Sequence, residues 1–113
     1  MNYKEEYILC AAIWYKELQL KKPEVLRIRG LSPYNVDRGI VLCGWRHGNI
    51  IAQLKAISGL RTVKLGADSV GETEQGFLTS LNRFVDRKEG AEIAFKSGQT
   101  EELKKTLFSE DLY

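Results

Sequence analysis

The chain has 113 residues, 43% of them hydrophobic and 28% charged, with a net charge of +2. That length suits one domain with a modest core that needs no metal or disulfide staple. The small net charge gives a duplex nucleic-acid binder nothing to rest on, and no apolar run is long enough to span a bilayer.

The charge is unevenly spread. Residues 1–65 hold eleven Lys/Arg against five Asp/Glu, and residues 66–113 hold six against ten. Such asymmetry can orient an anionic ligand or draw neighbouring subunits together. Met1-Asn2-Tyr3-Lys4-Glu5-Glu6 puts charge ahead of any apolar stretch and lacks a cleavage site, so a secretory leader is not expected and the protein is assigned to the cytoplasm.

Tyr7 to Tyr15 is a continuous apolar run rich in β-formers and predicts a central or doubly covered strand. Lys21-Lys22-Pro23 marks a turn, Glu24 to Arg29 reads as a weaker strand, and Gly30 to Asp37 reads as loop. Gly39 to Gly44 is a second apolar strand. It leads into Trp45-Arg46-His47-Gly48-Asn49, after which Ile50, Ile51, Leu54 and Ile57 recur at helical spacing. Asn49 is the expected N-cap, with Gly48 and His47 as alternatives, and Gly59 is the expected stop. Cys10 and Cys43 lie inside the two apolar runs and read as buried small hydrophobes.

Leu60 to Leu65 reads as a short strand or extended connection. Gly66 to Gln75 is polar, small and acidic, which predicts a mobile surface loop. Gly76 to Glu89 then reads as strand, turn and helix start, with Asp86 at the N-cap and Glu89 three residues on. Arg83 and Arg87 bracket that start. The helix runs through Ala91, Ile93, Ala94 and Phe95 to a stop at Gly98. A further helical turn is expected around Thr100. The segment from Leu107 to Tyr113 carries four large apolar residues, so it should dock on its own domain or on a partner subunit.

The device therefore occurs twice: a strand end, basic side chains, then a helix start. Arg46 with His47 supplies the first, and Arg83 with Arg87 the second. Helix N-termini carry unpaired N–H groups and partial positive charge, so two of them suit a ligand with two phosphates. Catalytic alternatives find little support. With one histidine and distant cysteines there is no metal motif, and no G-x-S-x-G elbow exists. Cys43 and His47 on an extended strand would be about 13 Å apart. The expected class is a non-enzymatic binding protein with no catalytic residue, no metal and no cofactor. Its fold is expected to be α+β: an antiparallel or mixed sheet of four or five strands with two main helices.

Three blocks carry a resemblance: Trp45-Arg46-His47-Gly48-Asn49-Ile50-Ile51, the run from Gln75 to Gln99, and Leu107-Phe108-Ser109-Glu110-Asp111-Leu112-Tyr113. Together they resemble the first-discovered anti-Thoeris sponge proteins of phages, over about the C-terminal two-thirds of the chain. That family binds and sequesters the cyclic ADP-ribose signal of a bacterial TIR-domain defence enzyme. The resemblance implies a homodimer or a hexamer with pockets near the dimer interface, and cyclic oligonucleotides as ligands at separate sites. It also implies ligand-binding roles for Arg46, His47, Arg83 and Arg87, for Phe77 as a base-stacking ring with Trp45 as the alternative, and for Asn82. Gly48 departs from the family's second histidine, and Gly90 from its more usual alanine; the second change weakens a helix by up to about 1 kcal/mol. Two further readings remain open: an interaction protein that holds a host factor through its C-terminal segment, and a small nucleotide-processing enzyme using His47.

Overall fold

A computed structural model describes residues 5–28, 30–61 and 68–113. Four strands form one antiparallel sheet in the order β2-β1-β3-β4. They are β1 (Ile8–Tyr15), β2 (Ile40–Gly44), β3 (Thr73–Thr79) and β4 (Phe84–Asp86). Two main helices, α2 (His47–Ser58) and α3 (Arg87–Lys96), follow β2 and β4, and a short α1 (Pro23–Leu26) lies between β1 and β2. The expected α+β class with a small antiparallel sheet is the observed one.

Strand register explains how both helices reach the same face. Ala11 pairs with Gly44 on one side and Phe77 on the other, and Phe77 pairs with Val85. Side chains alternate along a strand, so Ala11, Ile13, Tyr15, Phe77 and Val85 share a face. Ile50 and Leu54 of α2 pack there on Ala11, Ile13 and Tyr15. Ala91, Ile93 and Ala94 of α3 pack there on Ile8, Phe77 and Val85. Leu107, fully buried, joins the α3 cluster, with Leu112 beside it. The C-terminal segment thus docks on its own domain, as four apolar residues in seven predict.

The other face is thinner. Trp14 meets Phe84 edge-on at 5.8 Å between ring centroids, and residues 31–38 arch over them. Cys43 pairs with Ala12 and shares this face with Cys10. Both cysteines were expected to be buried. Cys43 is exposed and Cys10 half-buried, because β2 is an edge strand and the two main helices, α2 and α3, pack on the opposite face. The neighbouring Cys43 thiol holds Cys10 low, at about 7, and Cys10 together with burial pushes Cys43 up.

Several local expectations change. Residues 23–26 form α1 rather than a strand, because Pro23 at the first turn presets a helical φ and Glu24 favours the positive end. Of the short strand or extended connection expected at 60–65, Leu60 and Arg61 are described, with Arg61 in an isolated parallel bridge to Ser69; residues 62–65 lie outside the described residues. Thr73 to Gln75, expected as loop, open β3. Between that strand and α3 the chain makes a second strand, β4, three residues long. Thr100 starts no helix; its hydroxyl donates to Glu102 O. No helix among the described residues is long and apolar enough to cross a membrane.

Candidate functional site

The two helix starts are built differently. Asp86 caps α3, its Oδ1 accepting the Glu89 N–H at 2.7 Å. Glu89 does not reach back to complete the box; its carboxylate turns to Arg83 at 3.0 Å. At α2 the expected cap at Asn49 is not observed. The helix begins at His47, with Arg46 in extended conformation at the N-cap position and, among the described residues, no side chain accepting its first amides. Asn49 instead reaches back, its Oδ1 accepting the Trp45 N–H at 3.1 Å. One helix start is closed by its own carboxylate, and the other keeps its dipole end open.

His47 is buried, 7% exposed, between the helices. Its Nε2 lies 2.7 Å from Gly76 O and its Nδ1 3.4 Å from Arg87 Nη2. A carbonyl only accepts and a guanidinium only donates, so Nε2 carries the proton and Nδ1 the lone pair. Burial pushes the His47 pKa below its ordinary value, the bond to Gly76 O opposes this, and Arg87 lowers it further. His47 is therefore neutral, not the cation that its place in the sequence suggests.

Arg87 is the cation here. Its Nη2 donates to Gln75 Oε1 at 2.5 Å, its Nη1 to Leu107 O at 3.1 Å, and its guanidinium lies 4.7 Å from the Phe108 ring centroid. Arg46 forms the second cationic centre, within 4.8 Å of the Trp45 ring and 5.0 Å of the Tyr113 ring. It donates through Nη2 to the main-chain oxygen of Tyr113, while its buried Nη1 has no acceptor among the described residues. The Trp45 and Tyr113 rings stack, 17° from parallel at 5.9 Å, and the Tyr113 hydroxyl donates to Trp45 O. Trp45 keeps 64% of its surface exposed.

Of the remaining candidates, Arg83 and Asn82 lie elsewhere, and Phe77 lies beneath the cluster. Phe77 is fully buried and packs edge-on under the His47 ring at 5.2 Å, so it offers no face to a base in this protomer. Its core position follows from strand alternation: it shares Ala11's face of the sheet. Arg83 is held by both oxygens of Glu6, at 2.7 and 2.8 Å, and by Glu89. It lines a cavity of about 590 Å³ in which Glu5, Glu6, Glu89 and Glu92 outnumber Arg83 and Lys96, an excess of carboxylates that disfavours anions. Asn82 adopts φ 58° in the β3–β4 turn and donates to Ser32 O. The structure thus joins Arg46, His47 and Arg87, and separates Arg83, Asn82 and Phe77 from contact with an anion there. Gln75, Phe108 and Tyr113 complete the cluster without having been singled out in the sequence. The apolar content of the last seven residues was the available signal for the two rings.

The fold and cluster define a small α+β domain in which two helix starts meet over cationic and aromatic side chains. The chain matches the family model described as the phage T4 y16D protein over residues 7–113, and it belongs to that phage protein family. No curated protein matches it, and no solved structure does.

Proposed function

We propose that this phage protein is an anti-defence sponge that binds a cyclic nucleotide immune signal, of the glycocyclic ADP-ribose type or a cyclic oligonucleotide, and releases it unchanged. The observation that carries the reading is Arg46. It stands at the uncapped start of α2, against two stacked rings, and its chain neighbour His47 accepts from Arg87. A pyrophosphate needs charge-assisted donors and helix amides; a base needs an exposed aromatic face. Arg46, Arg87 and the α2 amides meet the first need, and Trp45 with Tyr113 the second.

Both ring nitrogens of His47 are engaged and burial keeps the ring neutral, which favours binding over general acid–base work. The reading includes assembly as a homodimer or hexamer in the host cytoplasm. The experiment is to incubate the protein with cyclic ADP-ribose isomers and cyclic oligonucleotides, remove free ligand, denature, and identify what is released. Intact ligand in stoichiometric amount is expected. Release of nothing overturns the reading, and release of hydrolysed ligand points to the enzyme alternative.

A further inference from the structure

A second cavity lies on the sheet face opposite α2 and α3. Residues 31–38 form an arch over that face, tied down at several points. The Asn35 side chain exchanges two hydrogen bonds with the Phe84 backbone, at 2.7 and 2.9 Å. Asn82 Nδ2 donates to Ser32 O, and Asn82 O accepts the Tyr34 N–H at 3.1 Å. Trp14 Nε1 donates to Arg38 O at 2.8 Å, and the Ser32 hydroxyl donates to Leu26 O. Between this arch and α1 is a cavity of about 380 Å³. These ties act on backbone atoms, so the walls are preformed rather than shaped by the ligand.

Its lining combines two chemistries. Leu20, Leu26, Ile28, Tyr34, Val36 and Val41 give an apolar surface, and Tyr34 is 70% exposed at the rim. Arg27 and Arg38 line it too, with Asp37 as the one carboxylate. Among the described residues neither guanidinium forms a salt bridge, whereas Arg61 and Arg83 both do. The volume is in the range of small-molecule sites.

We propose that this cavity binds a small planar aromatic anion, an aryl carboxylate, sulfonate or phosphate, independently of the cluster at the α2 start. The anionic group sits at Arg27 and Arg38, whose planar forks match two-oxygen anions. The ring lies on the aliphatic wall against Tyr34. Asp37 opposes the anion and weakens the site. Asn82 belongs to this cavity's wall, so its contribution is to hold the arch.

The test is an amide chemical-shift titration of the full chain with 2-naphthoate, and in parallel with the uncharged 2-naphthylmethanol. Saturable shifts centred on residues 26–41 and Asn82 are expected for the acid, with the alcohol about tenfold weaker. Arg27→Gln with Arg38→Gln should weaken the acid to the level of the alcohol. Asp37→Asn, which leaves both arginines in place, should tighten it about threefold. Arg46→Gln should leave it unchanged, which separates this site from the nucleotide reading. Equal affinity for acid and alcohol, shifts centred on residues 45–47, or no saturation at millimolar probe overturns the proposal.

Discussion

His47 Nδ1 accepts a hydrogen bond from Arg87 Nη2 at 3.4 Å, and these are the first residues of α2 and α3. The contact brings two helix starts, 40 residues apart in sequence, onto one spot above β3. Gly76 is the pivot: its carbonyl takes the other His47 nitrogen, and its missing side chain lets β4 approach, since a Cβ there would stand 1.9 Å from Val85 O.

The first prediction concerns the proton on His47. The ring should be neutral, with the proton on Nε2, and should titrate below the ordinary histidine value. Imidazole ¹⁵N shifts followed from about pH 8 to pH 5 read both features. The folded pKa is depressed, so the unfolded chain binds more protons between the folded value and about 6.5. Stability should therefore fall as pH drops from about 6.5 to the folded value, and His47→Gln should remove that slope. Titration at or above the ordinary value would contradict the geometry.

Arg83 should matter for stability rather than for ligand. Glu6 is held below its ordinary value first by its hydrogen bonds from Arg83, against burial, with Thr79 adding a bond. A depressed carboxylate stabilises above its unfolded pKa, so this contribution is present above about pH 4.5 and is lost as pH falls through the lower folded value. Arg83→Gln should cost about 1–2 kcal/mol at neutral pH by denaturant unfolding, since both partners keep some exposure. It should also flatten the acid limb. An unchanged acid limb in Arg83→Gln would mean that the pair is not formed in solution.

Gly90 offers a test of packing against propensity. On helix propensity alone, Gly90→Ala should stabilise by up to about 1 kcal/mol. A Cβ at this buried position would stand 2.9 Å from Phe77 Cδ2, a ring wedged beneath His47. Overpacking should win, with Gly90→Ala about 1–2 kcal/mol less stable by thermal or denaturant unfolding. A stabilised variant would show that the Phe77 ring can yield.

Much of the fold was legible in the sequence because it rests on local signals. The apolar runs fixed β1 and β2 to within a residue, Asp86 caps α3, and Gly59 ends α2 with φ 74°. What was not legible depends on pairing across the sheet. β4 has only three residues and exists because Phe77 and Leu78 pair with Val85 and Phe84. Arg46, His47 and Arg87 were picked out by type and place, but their meeting depends on register. The burial of His47 is not legible for the same reason: exposure at a helix start is the local expectation, and packing against Phe77 is a long-range fact. Arg83 and Arg87 look equivalent in sequence, yet the three strand residues between them send one to Glu6 and the other to Gln75.

The aromatic pair gives an optical signal. Trp45 is stacked on Tyr113 and partly exposed, so a stacking ligand should change its fluorescence. Trp14, whose indole N–H is held by Arg38 O on the other face, should stay constant. Trp45→Phe should abolish the change. Tyr113→Ala should weaken ligand by about tenfold, through lost stacking and a freed Arg46 side chain. A signal that survives in Trp45→Phe would assign the response to Trp14 and remove the base from the α2 start.

The most direct test is calorimetric titration of cyclic ADP-ribose isomers into the wild-type chain and into Arg46→Gln, Arg87→Gln and Arg83→Gln. Saturable binding to wild type is expected, with a loss of at least about tenfold in Arg46→Gln and in Arg87→Gln and near-wild-type affinity in Arg83→Gln. Wild-type affinity in both Arg46→Gln and Arg87→Gln, or a loss confined to Arg83→Gln, would contradict the proposed function.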